Sequence, residues 1–288
     1  MKMMTLAKRG LLTAVSSMAA VAAYAQEAPD FGELEIIGAP HASGVGFQEA
    51  GTNLATQIHR LDGMLLIIIT AITLLVMGLL AWVILRFNSR ANKNPATFTH
   101  NSPLEITWTI VPIVILVFIG AFSLPVLFDQ QEIPEGDIHV KVTGYQWYWS
   151  YEYTDEEIYF ESRLIGTGQG NLNDEIIANL EAAGYSEDEW LLATDNAVIL
   201  PVGATVVMDV TGSDVIHSWT IPAFGVKQDA VPGRLAQLWF APEKEGIYFG
   251  QCSELCGKDH AYMPITVKVV SQEDYDAWLE YAREEFPA

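Results

Sequence analysis

Basic residues are scarce in this chain: 15 Lys and Arg face 36 Asp and Glu over 288 residues, a formal charge of −21. That balance excludes nucleic acid as a partner, because a polyanion is held by clustered Lys and Arg. Cysteine is scarcer still, and the two present, Cys252 and Cys256, allow one disulfide at most. No internal repeat or low-complexity tract occurs, and the paired C-x-x-C spacing usual in structural zinc sites is missing. What the chain has instead is two long apolar stretches, an acidic C-terminal part and one loop crowded with soft ligands.

The opening "MKMMTLAKRGLLTAVSSMAAVAAYA" sets Lys2, Lys8 and Arg9 before a short apolar run and ends on the small-x-small triplet Ala23-Tyr24-Ala25. It predicts a secretory signal peptide over residues 1–25, too short for a stable span, with cleavage before Gln26. Its removal takes three basic side chains and moves the formal charge from −21 to −24. Two uncharged stretches follow, Met64 to Leu85 and Ile106 to Phe128, of 22 and 23 residues. At a 1.5 Å rise they give roughly 33 and 35 Å of helix, enough to cross a hydrocarbon core of about 30 Å. The expected order is a periplasmic N-terminal segment, 26–61, and a transmembrane helix hairpin, 62–128, with a cytoplasmic loop, 86–105. The loop holds Arg86, Arg90 and Lys93 against the single acid Glu105, and short basic loops stay in the cytoplasm. Both ends then face outward from a membrane crossed twice, with the lipid bilayer as one partner. Pro112 and Pro125 are tolerable in lipid where neighbouring helices or serine and threonine hydroxyls satisfy the freed carbonyls, so the second helix is expected to pack against a partner.

Residues 129–288 carry 29 Asp and Glu against 8 Lys and Arg, so the outer domain alone holds the acidic excess. Its β-rich runs begin at "DIHVKVTG" (137), "YQWYWSYEY" (145), "AVILP" (197), "TVVMDVTG" (205), "RLAQLWFAP" (234), "GIYFGQC" (246) and "PITVKVV" (264). Their alternation and turn residues predict a small antiparallel sandwich or barrel rather than parallel units. Between them "NLNDEIIANLEAAGYSEDEW" reads as an acidic surface helix with a turn, and "SQEDYDAWLEYAREEF" as an amphipathic C-terminal helix opened by Ser271. On that pattern Trp147 and Trp149, two apart, share one face of a strand.

The loop "GQCSELCGKDHAYMP" gathers Cys252, Cys256, His260 and Met263, and His217, at the end of a β-rich run in "GSDVIHSWTIP", is a fifth candidate ligand. A disulfide between the two cysteines is the plain alternative. Two thiolates, two imidazoles and a thioether suit copper, because sulfur ligands are soft and structural zinc seldom uses methionine. A mononuclear blue-copper site needs one cysteine, so the second is surplus there. Two cysteines on one loop can bridge a pair of copper ions instead, each with its own histidine. Such a rigid pair changes little on oxidation, which favours an electron relay over bond-making chemistry.

Signal, hairpin, "GYQWYWSYEY", "DVIHSWTIPAFGVKQDAVPGR" and "GQCSELCGKDHAYMP" together resemble subunit II of aa3-type cytochrome c oxidases, over nearly the whole chain. The resemblance implies a membrane-anchored all-β protein: a two-helix hairpin followed by a cupredoxin-like Greek-key β-barrel or sandwich with a C-terminal helix, residues 129–288 forming the CuA domain. It implies CuA ligands at His217, Cys252, Cys256, His260, Met263 and the carbonyl of Glu254, whose side chain reaches a magnesium or manganese ion shared with subunit I. Trp147 matches the indole through which electrons arrive from cytochrome c, a basic partner. Glu152, Glu161, Asp195 and Asp214 match docking acids, and Glu105 a carboxylate at the entrance of a proton pathway. Asp229 and Arg234 resemble residues near the haem-bearing subunit. The implied activity is that of an oxidoreductase subunit, a translocase passing electrons to haems held only by partner subunits, where oxygen is reduced.

Residues 163–192 are longer than in compact relatives and resemble proteobacterial forms. Two other classes share parts of the pattern. A periplasmic copper-delivery protein uses a Cys-x-x-x-Cys pair with a distant histidine, but on a thioredoxin-like pattern with one anchor and no Met263. A non-catalytic structural membrane subunit keeps the hairpin and loses the ligands.

Overall fold

Along the apolar stretches of α1 (Asn53–Arg86) and α2 (Ser102–Gln131), apolar residues on every face leave no polar side to turn outward. Both are long and apolar enough to cross a membrane, and neither buries its apolar window within the chain. The computed structural model describes residues 28–166 and 171–288; the expected signal peptide, 1–25, lies outside the described residues. Each helix opens on a side-chain cap: Thr52 accepts from Ala55 N at 3.1 Å and Asn101 from Leu104 N at 3.2 Å. At the far end of α1, Arg86 lies over the Trp82 ring, a pairing suited to the interface between lipid and water.

The joint between hairpin and outer domain is tight. Thr52 is 1% exposed and donates its hydroxyl to Phe224 O at 2.8 Å, while Leu54 and Ala55 are buried against the sandwich. The other helix is tied by the Trp239 indole, which donates to Asp129 O at 3.0 Å.

Two sheets face each other beyond the hairpin. One runs β1 (Ile36–Gly38), β10 (Gly246–Gln251), β11 (Pro264–Val270) and β5 (Val198–Pro201). The other runs β4 (Ile158–Ser162), β3 (Tyr148–Tyr153), β2 (Ile138–Tyr145), β6 (Val206–Gly212) and β9 (Ala236–Phe240), and a small pair joins β7 (His217–Ile221) to β8 (Val226–Ala230). The β-sandwich is the one expected, but its pairing is mixed, since β1 with β10, β5 with β11 and β2 with β6 run parallel. Long connections bring strands distant in sequence side by side, which hairpins alone do not do. The segment ahead of the hairpin supplies β1, so the sandwich is assembled from both sides of the membrane anchor.

Alternation sets the core. Val140 and Val142 of β2, Met208 and Val210 of β6 and Leu238 and Phe240 of β9 point inward to meet Tyr248, Ile265, Val267 and Val269 of the facing sheet. α3 (Asp174–Ala182), the expected acidic helix, buries Ile176 and Leu180 in a second, smaller cluster. α4 (Gln272–Glu285) starts where Ser271 accepts from Asp274 N at 3.1 Å, and it buries Tyr275, Trp278, Leu279 and Ala282.

Candidate metal centre

After Gln251 the chain leaves β10, and it rejoins the sheet opposite the same residue at Pro264 of β11. The intervening loop is pinned by Cys252 N, which donates to Met263 O at 3.4 Å, and by Ser253 N, which donates to Ser218 O at 2.9 Å. His217 comes from elsewhere in the chain. It does not end a β-run as the sequence suggests; it opens β7, opposite Ala230 of β8. β6 stops at Gly212 and the chain turns through Asp214, whose side chain accepts from Val215 N at 2.7 Å and Gln146 N at 2.8 Å. His217 is fully buried against Gly144 of β2, where an added Cβ would stand 2.9 Å from the imidazole. A glycine inside that strand is what admits the ring.

The donor atoms converge. Cys252 Sγ lies 3.8 Å from Cys256 Sγ, 3.9 Å from His217 Nδ1 and 3.3 Å from Glu254 O. Cys256 Sγ lies 3.5 Å from His260 Nδ1 and 3.5 Å from Met263 Sδ. Each sulfur therefore has an imidazole nitrogen of its own and one weaker donor. Both cysteines are free thiols, so the disulfide alternative is not the state seen. Cys252, Cys256 and Met263 are buried and His260 is half-buried, whereas Glu254 is exposed although its carbonyl points at Cys252.

The electrostatics call for a cation. Burial opposes ionisation of Cys252, but hydrogen bonds from His217 and the loop backbone outweigh it and lower its pKa. Burial and the charge on Cys252 push the Cys256 thiol well up. One thiolate is favoured and a second beside it is opposed, which a bound metal reverses by neutralising both. Burial lowers the pKa of His217 and hydrogen bonds to Cys252 and Asp214 raise it, the second effect prevailing. Were a metal to take Nδ1, the one remaining ring proton would sit on Nε2, 2.9 Å from Asp214 Oδ1 and placed to donate to it. A carboxylate behind a ligating imidazole fixes its tautomer and orientation. Two sulfur anions, two imidazoles, a thioether and a carbonyl fit copper and leave little for a hard oxygen-seeking ion.

Trp147 and Trp149 part company. The peptide before Trp147 is cis, and Gln146 and Trp147 form the two-residue turn between β2 and β3, where Tyr145 pairs with Tyr148. Trp149 faces the core at 0% exposure, its ring edge-on to His217 and its indole donating to Met263 O at 3.3 Å. Trp147 is half-exposed and donates to Cys256 O at 3.2 Å, a bond that Gln146 Nε2 shares at 3.3 Å. Gly257 has φ +127°, and a Cβ there would meet the Trp147 ring at 2.9 Å.

The remaining expected residues lie apart from the donors, Asp214 excepted. Glu152 pairs with Lys141 at 2.8 Å and Glu161 with Arg163 at 2.6 Å, while Asp195 accepts from Arg163 N at 2.7 Å. Glu105, in the first turn of α2, accepts from Asn101 N at 3.1 Å. Asp229 of β8 pairs with Lys227 at 2.8 Å, and Arg234 follows in the loop before β9. Sequence reasoning missed Gly144, Gln146 and the part Asp214 plays behind His217. A glycine inside an otherwise alternating strand was the available signal for the first.

Two apolar spans joined to a β-sandwich whose rim holds two thiols, two imidazoles and a thioether define a membrane-tethered, cupredoxin-like protein with a soft-metal centre. The family model described as cytochrome c oxidase subunit II, periplasmic domain, matches residues 138–270, and that described as cytochrome c oxidase subunit II, transmembrane domain, matches residues 40–126. Cytochrome c oxidase subunit 2 of Cereibacter sphaeroides is 65% identical over 274 residues, covering 94% of this chain and 89% of the relative. A probable cytochrome c oxidase subunit 2 of Rickettsia bellii is 45% identical over 236 residues, covering 82% of each chain. Among solved structures, the periplasmic domain of subunit II of cytochrome oxidase of Bradyrhizobium japonicum is 42% identical with a TM-score of 0.45, covering 54% of this chain and 99% of that one. The chain belongs to the cytochrome c oxidase subunit II family. It is a subunit of an oxidoreductase, anchored by two membrane helices with its C-terminal domain in the periplasm.

Proposed function

We propose that the chain receives electrons from a basic cytochrome c at a binuclear copper centre and hands them to haems in a partner subunit, subunit I. The residues that hold the metal in this reading are His217, Cys252, the Glu254 carbonyl, Cys256, His260 and Met263. When bound, the copper pair supplies a one-electron couple whose charge spreads over two thiolate sulfurs. The chain supplies a rigid seat for it. Asp214 orients His217, Gly144 gives that ring room, and the loop backbone is tied to β7 and β11 so that donors move little when charge changes. Trp149 and the surrounding core exclude water from the inner side, and Trp147 carries electrons in from the outer side through its bond to the Cys256 carbonyl.

The observation that carries this reading is the equal provision for two ions: Cys252 with His217 at 3.9 Å, and Cys256 with His260 at 3.5 Å. A copper-delivery role is not favoured, because the donors sit on the rim of a sandwich anchored by two membrane helices, with a thioether already in place. Metal content of the purified full-length chain after copper loading tests it. Two copper ions per chain are expected; one per chain contradicts the reading.

Four finer roles belong to the same proposal. The exposed side chain of Glu254 is free to reach a magnesium or manganese ion shared with subunit I. Glu105, at the cytoplasmic end of α2, gathers protons for a pathway into that subunit. Glu152, Glu161, Asp195 and Asp214 form the field that draws in a basic cytochrome, and Asp229 and Arg234 face the haem-bearing subunit.

A further inference from the structure

Every acid assigned above to docking is already engaged within the free chain, but in two different ways. Asp214 and Asp195 spend their oxygens on backbone amides and on His217, partners that leave their negative charge largely in place. Glu152 and Glu161 are instead each matched by a cation: Lys141 across the β2–β3 pair at 2.8 Å, and Arg163 at 2.6 Å. Arg163 does more than pair. Its guanidinium carbon stands 3.5 Å from the centroid of Tyr148, and Tyr148 stacks on Tyr145 with centroids 4.8 Å apart and planes 5° from parallel. Those two tyrosines flank the turn that presents Trp147.

A cation thus rests on an aromatic face and a carboxylate beside the place where electrons arrive, in a domain with only 8 Lys and Arg. The side chains of Arg163 and Glu161 are 48% and 41% exposed. A pair this open to water is weak and exchanges readily. The Arg163 main chain is held separately, its N–H donating to Asp195 Oδ1 at 2.7 Å, so the side chain can swing away without moving the strand end.

We propose that Arg163 is an internal stand-in for a partner's basic side chain: it covers Glu161 and Tyr148 in the free protein and is displaced when a lysine-rich redox protein docks. The inference rests on the reading that such a partner docks around Trp147. It makes Glu161 a masked acid, and Arg163 the residue that sets how strongly this face attracts cations before contact.

The test is flash-initiated electron transfer from a lysine-rich cytochrome c to the assembled oxidase over a range of ionic strength, with copper spectra and melting recorded for each variant. Arg163→Gln is expected to raise the second-order rate at low salt by about two- to threefold, the gain fading as the screening length shrinks below about 10 Å. Lys244→Gln, which removes a paired surface cation near the membrane joint, supplies the comparison for a bare change of charge. In the native background Glu161→Gln is expected to slow the reaction by less than about 1.5-fold, and in the Arg163→Gln background by about threefold, because the acid is then unmasked. Equal effects of Glu161→Gln in both backgrounds, or a rate lowered by Arg163→Gln, overturn the inference while leaving the docking reading intact. A native rate indifferent to salt overturns the docking reading itself and the inference with it.

Discussion

The metal pocket and the face around it meet at Trp147, yet they are held by different kinds of bond. In the pocket, Cys252, Cys256, Met263 and His217 are buried, and each is tied to backbone or core: Cys252 to Met263 O, Cys256 through its carbonyl to Trp147 and Gln146, His217 through Asp214. On the face, the bonds are half-exposed ion pairs and a cation over a ring, Lys141 with Glu152, Arg163 with Glu161, and Lys258 over Trp147 at 4.9 Å. Buried hydrogen bonds are costly to leave unmade, while exposed ion pairs contribute little and exchange with solvent or with a partner. On the proposed function the difference separates two tasks. A relay needs donors that do not move, and a transient docking face needs contacts that can be given up.

Breaking the pocket is expected to give the largest effects. Cys252→Ser or Cys256→Ser should abolish the shared-electron copper spectrum while changing the melting point of the metal-free chain little, because no disulfide is lost; a shift dominated by instability would contradict this. Truncating Trp149 to Ala should cost about 3 to 5 kcal/mol in unfolding free energy and disturb the copper spectrum through Met263. Trp147→Phe should leave both nearly unchanged, because Gln146 Nε2 still donates to the Cys256 carbonyl, and slow electron arrival from cytochrome c sharply. A Trp147 defect explained wholly by lost stability would place that indole with the core instead of the face.

A smaller effect is expected from crowding the His217 ring. Gly144→Ala should cost about 1 to 3 kcal/mol by overpacking and weaken copper binding, seen as a lower melting point together with incomplete loading. Normal loading with unchanged melting would mean that the close approach is not needed. The smallest effect belongs to the rim: Lys141→Gln should change stability by less than about 1 kcal/mol and leave the copper spectrum untouched.

Cys252, Cys256, His260 and Met263 were legible because they share one loop and their chemistry is unusual together; His217 needed only a second match, and the Glu254 carbonyl came only with the family resemblance. The hairpin was legible from length and unbroken apolarity, and most of the sandwich from alternation. The rest was hidden for physical reasons. β1 is three residues long and pairs in parallel, so nothing local marks it. The run "YQWYWSYEY" alternates smoothly across the Gln146–Trp147 turn, and only the register of Tyr145 with Tyr148 shows that the two tryptophans lie in different environments. The bonds of Asp214 to His217 and of Arg163 to Glu161 depend on side-chain placement, which composition cannot report. A cluster counted as acidic in sequence is partly neutralised in space.

On the proposed function, one loop and one distant histidine make the two halves of a single copper site. Electron paramagnetic resonance of the copper-loaded full-length chain tests it most directly. An electron shared equally by two copper nuclei should give a seven-line hyperfine pattern that collapses in Cys256→Ser. A four-line pattern in the fully loaded native chain would contradict the account.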